Sequence, residues 1–99
     1  MSEDCLTLNV VAPKASHKKM PVVVYLHAGE FSYGSANDQE NNWPYFAPDV
    51  LLVTPYSRLG AFGFLGADDL RPLASNGGTG NYGMLDQRLA LQWVQQNIE

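Results

Sequence analysis

The stretch VVVYLHAGEFSYGS, Val22 to Ser35, decides how the rest of the chain is read. Its first part, VVVYLH, is almost continuously apolar and β-branched, the composition of a strand covered on both faces. Ala28 and Gly29 follow without a polar spacer, and then comes an acid, Glu30. A strand that exits through small residues can turn tightly and leave its backbone N–H groups aimed into open space.

The flanking segments supply neighbours for such a strand. LTLNVV, Leu6 to Val11, alternates apolar and polar residues and predicts a half-exposed strand. DVLLVTPYS, Asp49 to Ser57, is a second continuous apolar run, and Pro55 removes a ladder donor near its end. GMLDQRLALQWVQQNIE, Gly83 to Glu99, has helical length and composition. Arg88, Gln92, Gln95 and Gln96 fall on one polar stripe, and Leu89, Ala90, Leu91, Trp93, Val94 and Ile98 spread over the remainder. That wide apolar face predicts a helix pressed onto a sheet, with Trp93 in the core. Asn81 or Gly83 is the expected N-cap, and Asp86 is a first-turn acid suited to the positive end of the helix dipole. Strands and helix joined by glycine-rich turns predict an α/β fold with a central, mainly parallel sheet and packed helices.

Composition narrows the functional classes. The chain has 99 residues, 45% of them hydrophobic and 16% charged, which is globular composition for one small domain. A net charge of −4 offers no basic surface for nucleic acid or anionic lipid. Val22 to Leu26 is too short an apolar run to span a bilayer, and MSEDC lacks the basic and apolar regions of a signal peptide. Cys5 is the single cysteine, so no disulfide or CxxC pair forms within the chain.

Few side chains read as catalytic or ligand-binding. None of the six serines stands in a G-x-S-x-G elbow. His17 lies between Ser16 and Lys18 in a polar turn and reads as a solvated residue. His27 reads as a hydrogen-bonded structural histidine, and neither histidine has metal-ligand spacing, so no metal is expected. GTGNYG, Gly78 to Gly83, matches G-x-G-x-x-G, but PLASNGG before it reads as loop rather than strand. No cofactor is expected. The exit loop at Ala28-Gly29-Glu30 remains as the chemistry-bearing feature, because acyl-transfer enzymes use such backbone N–H groups to hold the oxyanion of a tetrahedral intermediate.

Four segments in order, SEDCLTLNV (Ser2 to Val10), VVVYLHAGEFSYGS, SRLGAFGFL (Ser57 to Leu65) and GNYGMLDQRLALQWVQQNI (Gly80 to Ile98), resemble the type B carboxylesterases, the family that includes the cholinesterases. The resemblance implies part of an α/β-hydrolase fold, with residues 1–99 an internal slice of the catalytic domain. It implies hydrolysis of a small carboxylic ester by a serine, a histidine and an acid, all of which lie past Ile98 in the family. A chain without them is not active alone, and its exposed sheet edges and helix surface predict aggregation or partial folding in isolation. By the same resemblance, Gly29 and Glu30 supply two oxyanion-hole N–H groups, the third coming from the residue after the serine. Cys5 matches a family cysteine that pairs with one upstream, which points to a secreted or lumenal parent. Arg58 keeps the family residue and reads as structural, a cation at a strand's end expected to seek a carboxylate such as Glu3 or Asp4, and Asp86 reads as structural as a first-turn acid.

This chain departs from the family pattern at Thr7, where an aromatic is usual, and at Tyr56-Ser57-Arg58, where the family has N-Y-R. The consequential departure is Glu30, where the family usually has Gly or Ala. A side chain there costs about 1–2 kcal/mol if the position needs a positive φ. A carboxylate about 4 Å from an oxyanion costs ~4 kcal/mol at an effective dielectric near 20, roughly a thousandfold in rate. The family also contains adhesion proteins that keep the fold and have lost the triad, and Glu30 makes that the competing expectation.

Overall fold

The computed structural model describes residues 2–13, 19–38 and 49–98. His17 therefore lies outside the described residues. Three strands form one sheet: β1 (Leu8–Val11), β2 (Val22–Val24) and β3 (Leu51–Pro55), in the order β1-β3-β2. The continuous apolar run LLVTP takes the centre, where Leu52 and Val53 are fully buried and Thr54 nearly so. The strand ends at Pro55, as the missing donor predicts.

The sheet is mixed rather than mainly parallel. β2 runs parallel to β3, with Val22 opposite Leu51 and Val24 opposite Val53. β1 runs antiparallel, with Leu8 opposite Pro55 and Val11 opposite Leu52. The alternating pattern of β1 fits this, since one solvated face is the mark of an antiparallel strand. Asn9, on the polar side, donates to Thr54 Oγ1 at 3.2 Å and to Asn37 Oδ1 at 2.8 Å. β2 is less covered than its sequence predicts, because among the described strands it has a neighbour on one side only, and Val22 is exposed.

After β3 come a short helix α1 (Gly60–Phe64), a 3-10 helix (Asp68–Leu73) and the long helix α2 (Tyr82–Asn97). The 3-10 helix occupies a segment whose Pro and Gly content reads as loop. Arg71 Nε on Asp68 Oδ1 at 2.7 Å and Ala74 N on Arg71 O close its turns. It precedes the G-x-G-x-x-G match, so no strand feeds that loop. Asn81 stands at the N-cap, in the left-handed region with φ 56° and without a side-chain cap.

Among the described elements, α2 packs chiefly with α1, and the seating corrects the sequence expectation. Its buried residues are Gly83, Asp86 and Ala90, spaced i, i+3, i+7 along one stripe. Leu89, Leu91 and Trp93 point outward, with Trp93 39% exposed. Asp86 is in the second turn and only 5% exposed, so its role is not that of a first-turn dipole acid. The seam of the helix is built around a carboxylate because that carboxylate has a partner.

Candidate functional site

The site begins where the β2 chain leaves the sheet. Tyr25 N donates to Val53 O at 2.9 Å, the last backbone tie to the sheet before the exit. Gly29 has φ 130°, and the next two residues are left-handed as well: Glu30 at φ 52° and Phe31 at φ 60°. Position 29 admits only glycine, since a Cβ would overlap the Tyr33 carbonyl. The turn closes on Gly29 O, which accepts from Ser32 N at 2.9 Å and Tyr33 N at 3.1 Å. Ser32 Oγ caps Glu30 O at 3.3 Å.

The carbonyls of Gly29 and Glu30 accept within the turn, but neither Gly29 N–H nor Glu30 N–H has an acceptor among the described residues. Adjacent free backbone donors are what acyl-transfer enzymes use to receive an oxyanion. The Glu30 side chain is exposed and makes no ion pair among the described residues, so its orientation, not burial, governs its effect on that oxygen. His27 behaves as expected of a structural histidine: in its Nδ1–H tautomer it donates to Ala28 O at 2.9 Å, and its ring lies against Gly34.

Arg58 does not reach Glu3 or Asp4. Its carboxylate is Asp86, 28 residues on: Arg58 Nη2 donates to Oδ1 at 2.7 Å, and Arg58 Nε and its backbone N–H donate to Oδ2 at 2.8 and 2.9 Å. Asp86 is nearer to Arg58 in sequence than Glu3 or Asp4 is, but the choice among them is made by packing, which brings α2 and its Asp86 against the turn after β3. Burial pushes the Asp86 carboxyl up, but the Arg58 donors outweigh it and hold the group below the ordinary aspartate value. The guanidinium is raised in turn, first by its hydrogen bond to Asp86. It also lies 5.4 Å from the Tyr82 ring centroid. Gly83 is required by close approach, since a Cβ there would come within 2.5 Å of Arg58 O.

The turn after β3 also touches the exit loop. Gly60 N donates to Phe31 O at 2.7 Å, and the Phe31 and Phe64 rings meet at 5.1 Å between centroids. Sequence reasoning named Gly29, Glu30, Arg58 and Asp86 but not Phe31 or Gly60. Neither carries an ionisable or nucleophilic side chain, and only the folded chain shows the hydrogen bond between them and the Phe31–Phe64 ring pair. Cys5 is a free, exposed thiol. Two open surface grooves, of about 680 Å³ beside Asn9 and Asp38 and about 240 Å³ beside Leu6 and Trp93, lie away from Gly29 and Glu30. Among the described residues there is no cluster of metal-ligating side chains and no helix long and apolar enough to cross a membrane.

A parallel β-turn-β3 core flanked by helices, with free donors at a strand exit, is consistent with part of the α/β-hydrolase fold of esterases. A thermophilic PNB esterase superposes with a TM-score of 0.82 at 37% identity, over 98% of this chain and 20% of that one. The chain belongs to the Carboxylesterase family, whose model matches residues 1–99. It is 44% identical to the acetylcholinesterase of Bungarus fasciatus, over 99% of this chain and 16% of that protein. It is 42% identical to the neuroligin-like protein glit-1 of Caenorhabditis elegans, over 99% of this chain and 13% of that protein. The chain thus spans 16% or less of the length of these two relatives.

Proposed function

We propose that these residues are part of the catalytic domain of a serine carboxylesterase and supply its oxyanion-hole loop. Gly29 N–H and Glu30 N–H then receive the negative oxygen formed when a serine attacks a small carboxylic ester, with a third donor from the residue after that serine. Residues 1–99 carry no triad of their own and do not hydrolyse esters alone. The observation that carries this reading is the run of positive φ at Gly29, Glu30 and Phe31, which leaves the first two amides unpartnered. Esterase names among the relatives support it. By analogy with the family, Cys5 would pair with an upstream cysteine, which suits a secreted or lumenal full-length protein.

The test is reaction of the full-length protein with an organophosphate serine reagent and with a p-nitrophenyl ester. Stoichiometric labelling with turnover is the expected result, and absence of both would overturn the reading. One observation favours a second function. Glu30 places a carboxylate where developing negative charge must be accommodated, and a neuroligin-like protein is among the relatives. On that reading the fold is kept as a binding surface, and the full-length protein neither labels nor turns over ester. Glu30→Gly separates the two within an active protein: a side chain facing the oxyanion predicts a rate gain of up to about a thousandfold, one facing away predicts little change.

A further inference from the structure

We propose that Asp86, acting through Arg58, is a positioning residue for the Gly29 and Glu30 N–H pair. The inference rests on the oxyanion-loop reading above and adds to it a distant brace. Asp86 accepts three hydrogen bonds, all from Arg58, and one of them comes from the Arg58 backbone. It therefore fixes main chain as well as side chain at the turn after β3. Two residues further on, Gly60 N–H donates to Phe31 O at 2.7 Å. Phe31 is the residue after Glu30 and the last of the three with positive φ.

A second link runs in parallel. Gly83, one turn before Asp86 on α2, lies against the Phe64 ring, and Phe64 meets the Phe31 ring. Both links start on the buried stripe of α2 and end on Phe31. The left-handed conformations at Glu30 and Phe31 are disfavoured for residues with a Cβ and persist only where surroundings hold them. The Gly60 hydrogen bond and the Phe64 ring are those surroundings. Releasing Arg58 loosens the Gly60 donor, lets residues 30 and 31 relax toward negative φ, and turns the free N–H groups away from their common target.

The experiment compares wild-type full-length protein with Asp86→Asn and with Arg58→Lys, which retains the charge and the backbone N–H but loses the guanidinium fork. Active sites are titrated with an organophosphate so that kcat refers to folded sites only. Displacements near 1 Å lower rates by up to about a hundredfold; Asp86→Asn is expected to lower kcat per site by about tenfold to a hundredfold with KM within about twofold. Arg58→Lys is expected to show a smaller loss of the same kind, and it decides the matter if Asp86→Asn does not fold. Amide hydrogen exchange at Gly60 is expected to quicken by about tenfold or more in both variants, as for a local opening. Unchanged kcat per titrated site, as a merely stabilising ion pair would give, or unchanged exchange at Gly60 overturns the proposal. If the wild type neither labels nor hydrolyses, the esterase reading fails, and exchange at Gly60 alone supports or overturns the brace.

Discussion

Two turns leave this sheet at the same end, since β2 and β3 run parallel, and they are held in opposite ways. The turn after β2 is local: Gly29 O takes both closing hydrogen bonds, from Ser32 and Tyr33, and a glycine at φ 130° makes the reversal possible. The turn after β3 is long-range, anchored by a carboxylate 28 residues away on α2. On the proposed reading the first turn presents chemistry through its backbone, and the second supplies rigidity through Arg58 and Asp86. They meet at one hydrogen bond and one ring pair on Phe31.

If the first turn is truly local, the largest effect comes from within it. Gly29→Ala forces a Cβ into the Tyr33 carbonyl at a φ that L-residues avoid, so it should destabilise the full-length protein by about 3 kcal/mol in urea unfolding. On the proposed oxyanion-loop reading, the same strain displaces the residue 29 N–H and should cut ester hydrolysis by a hundredfold or more. Next is the anchor of the second turn. Asp86→Ala leaves Arg58 without its acceptors; because that guanidinium side chain is 37% exposed, the loss should be about 2 kcal/mol rather than the full value for a buried pair.

That anchor also has a pH signature. The Asp86 carboxyl lies below its unfolded value, so its contribution is fully present above the ordinary aspartate range and is lost as pH falls through the folded pKa. Wild-type unfolding free energy should drop on acidification more steeply than that of Asp86→Asn, measured by urea titration from neutral to strongly acidic pH. A smaller effect of opposite sign is expected at Glu30. Glu30→Gly relieves left-handed strain at φ 52° and should be neutral or stabilising by up to about 1 kcal/mol by the same measurement. The smallest belongs to neither turn: Arg71→Ala removes an exposed pair with Asp68 and should change stability by less than about 0.5 kcal/mol.

The same contrast explains what could be read before the fold was in view. The local turn was visible as small residues after an apolar strand, and the end of β3 was visible in Pro55. Helix α2 followed from its length and composition, and of the two caps expected, Asn81 and Gly83, the structure has Asn81. The seam of α2 was legible only at Ala90, because Gly83 and Asp86 complete the buried stripe and pattern reading places charge outside. The partner of Arg58 is Asp86 rather than the expected N-terminal acids for a related reason: an ion pair spanning 28 residues is set by packing, not by spacing. The mixed sheet was latent in the alternation of β1, and the 3-10 helix was masked by the proline it contains at Pro72. The Phe31–Gly60 hydrogen bond was invisible, since it joins a carbonyl and an amide that every residue carries, and the Phe31–Phe64 ring pair is set by packing.

The separation between Arg58 and Asp86 also sets an order of events during synthesis. At about 5–20 residues per second, a ribosome delivers Asp86 roughly 1 to 6 s after Arg58. The three strands and the glycine turn can meet in that interval, but the brace cannot. On the ribosome the three strands can therefore pair first, and the left-handed residues of the exit loop are held in place only later, when the second turn of α2 emerges and closes on Arg58.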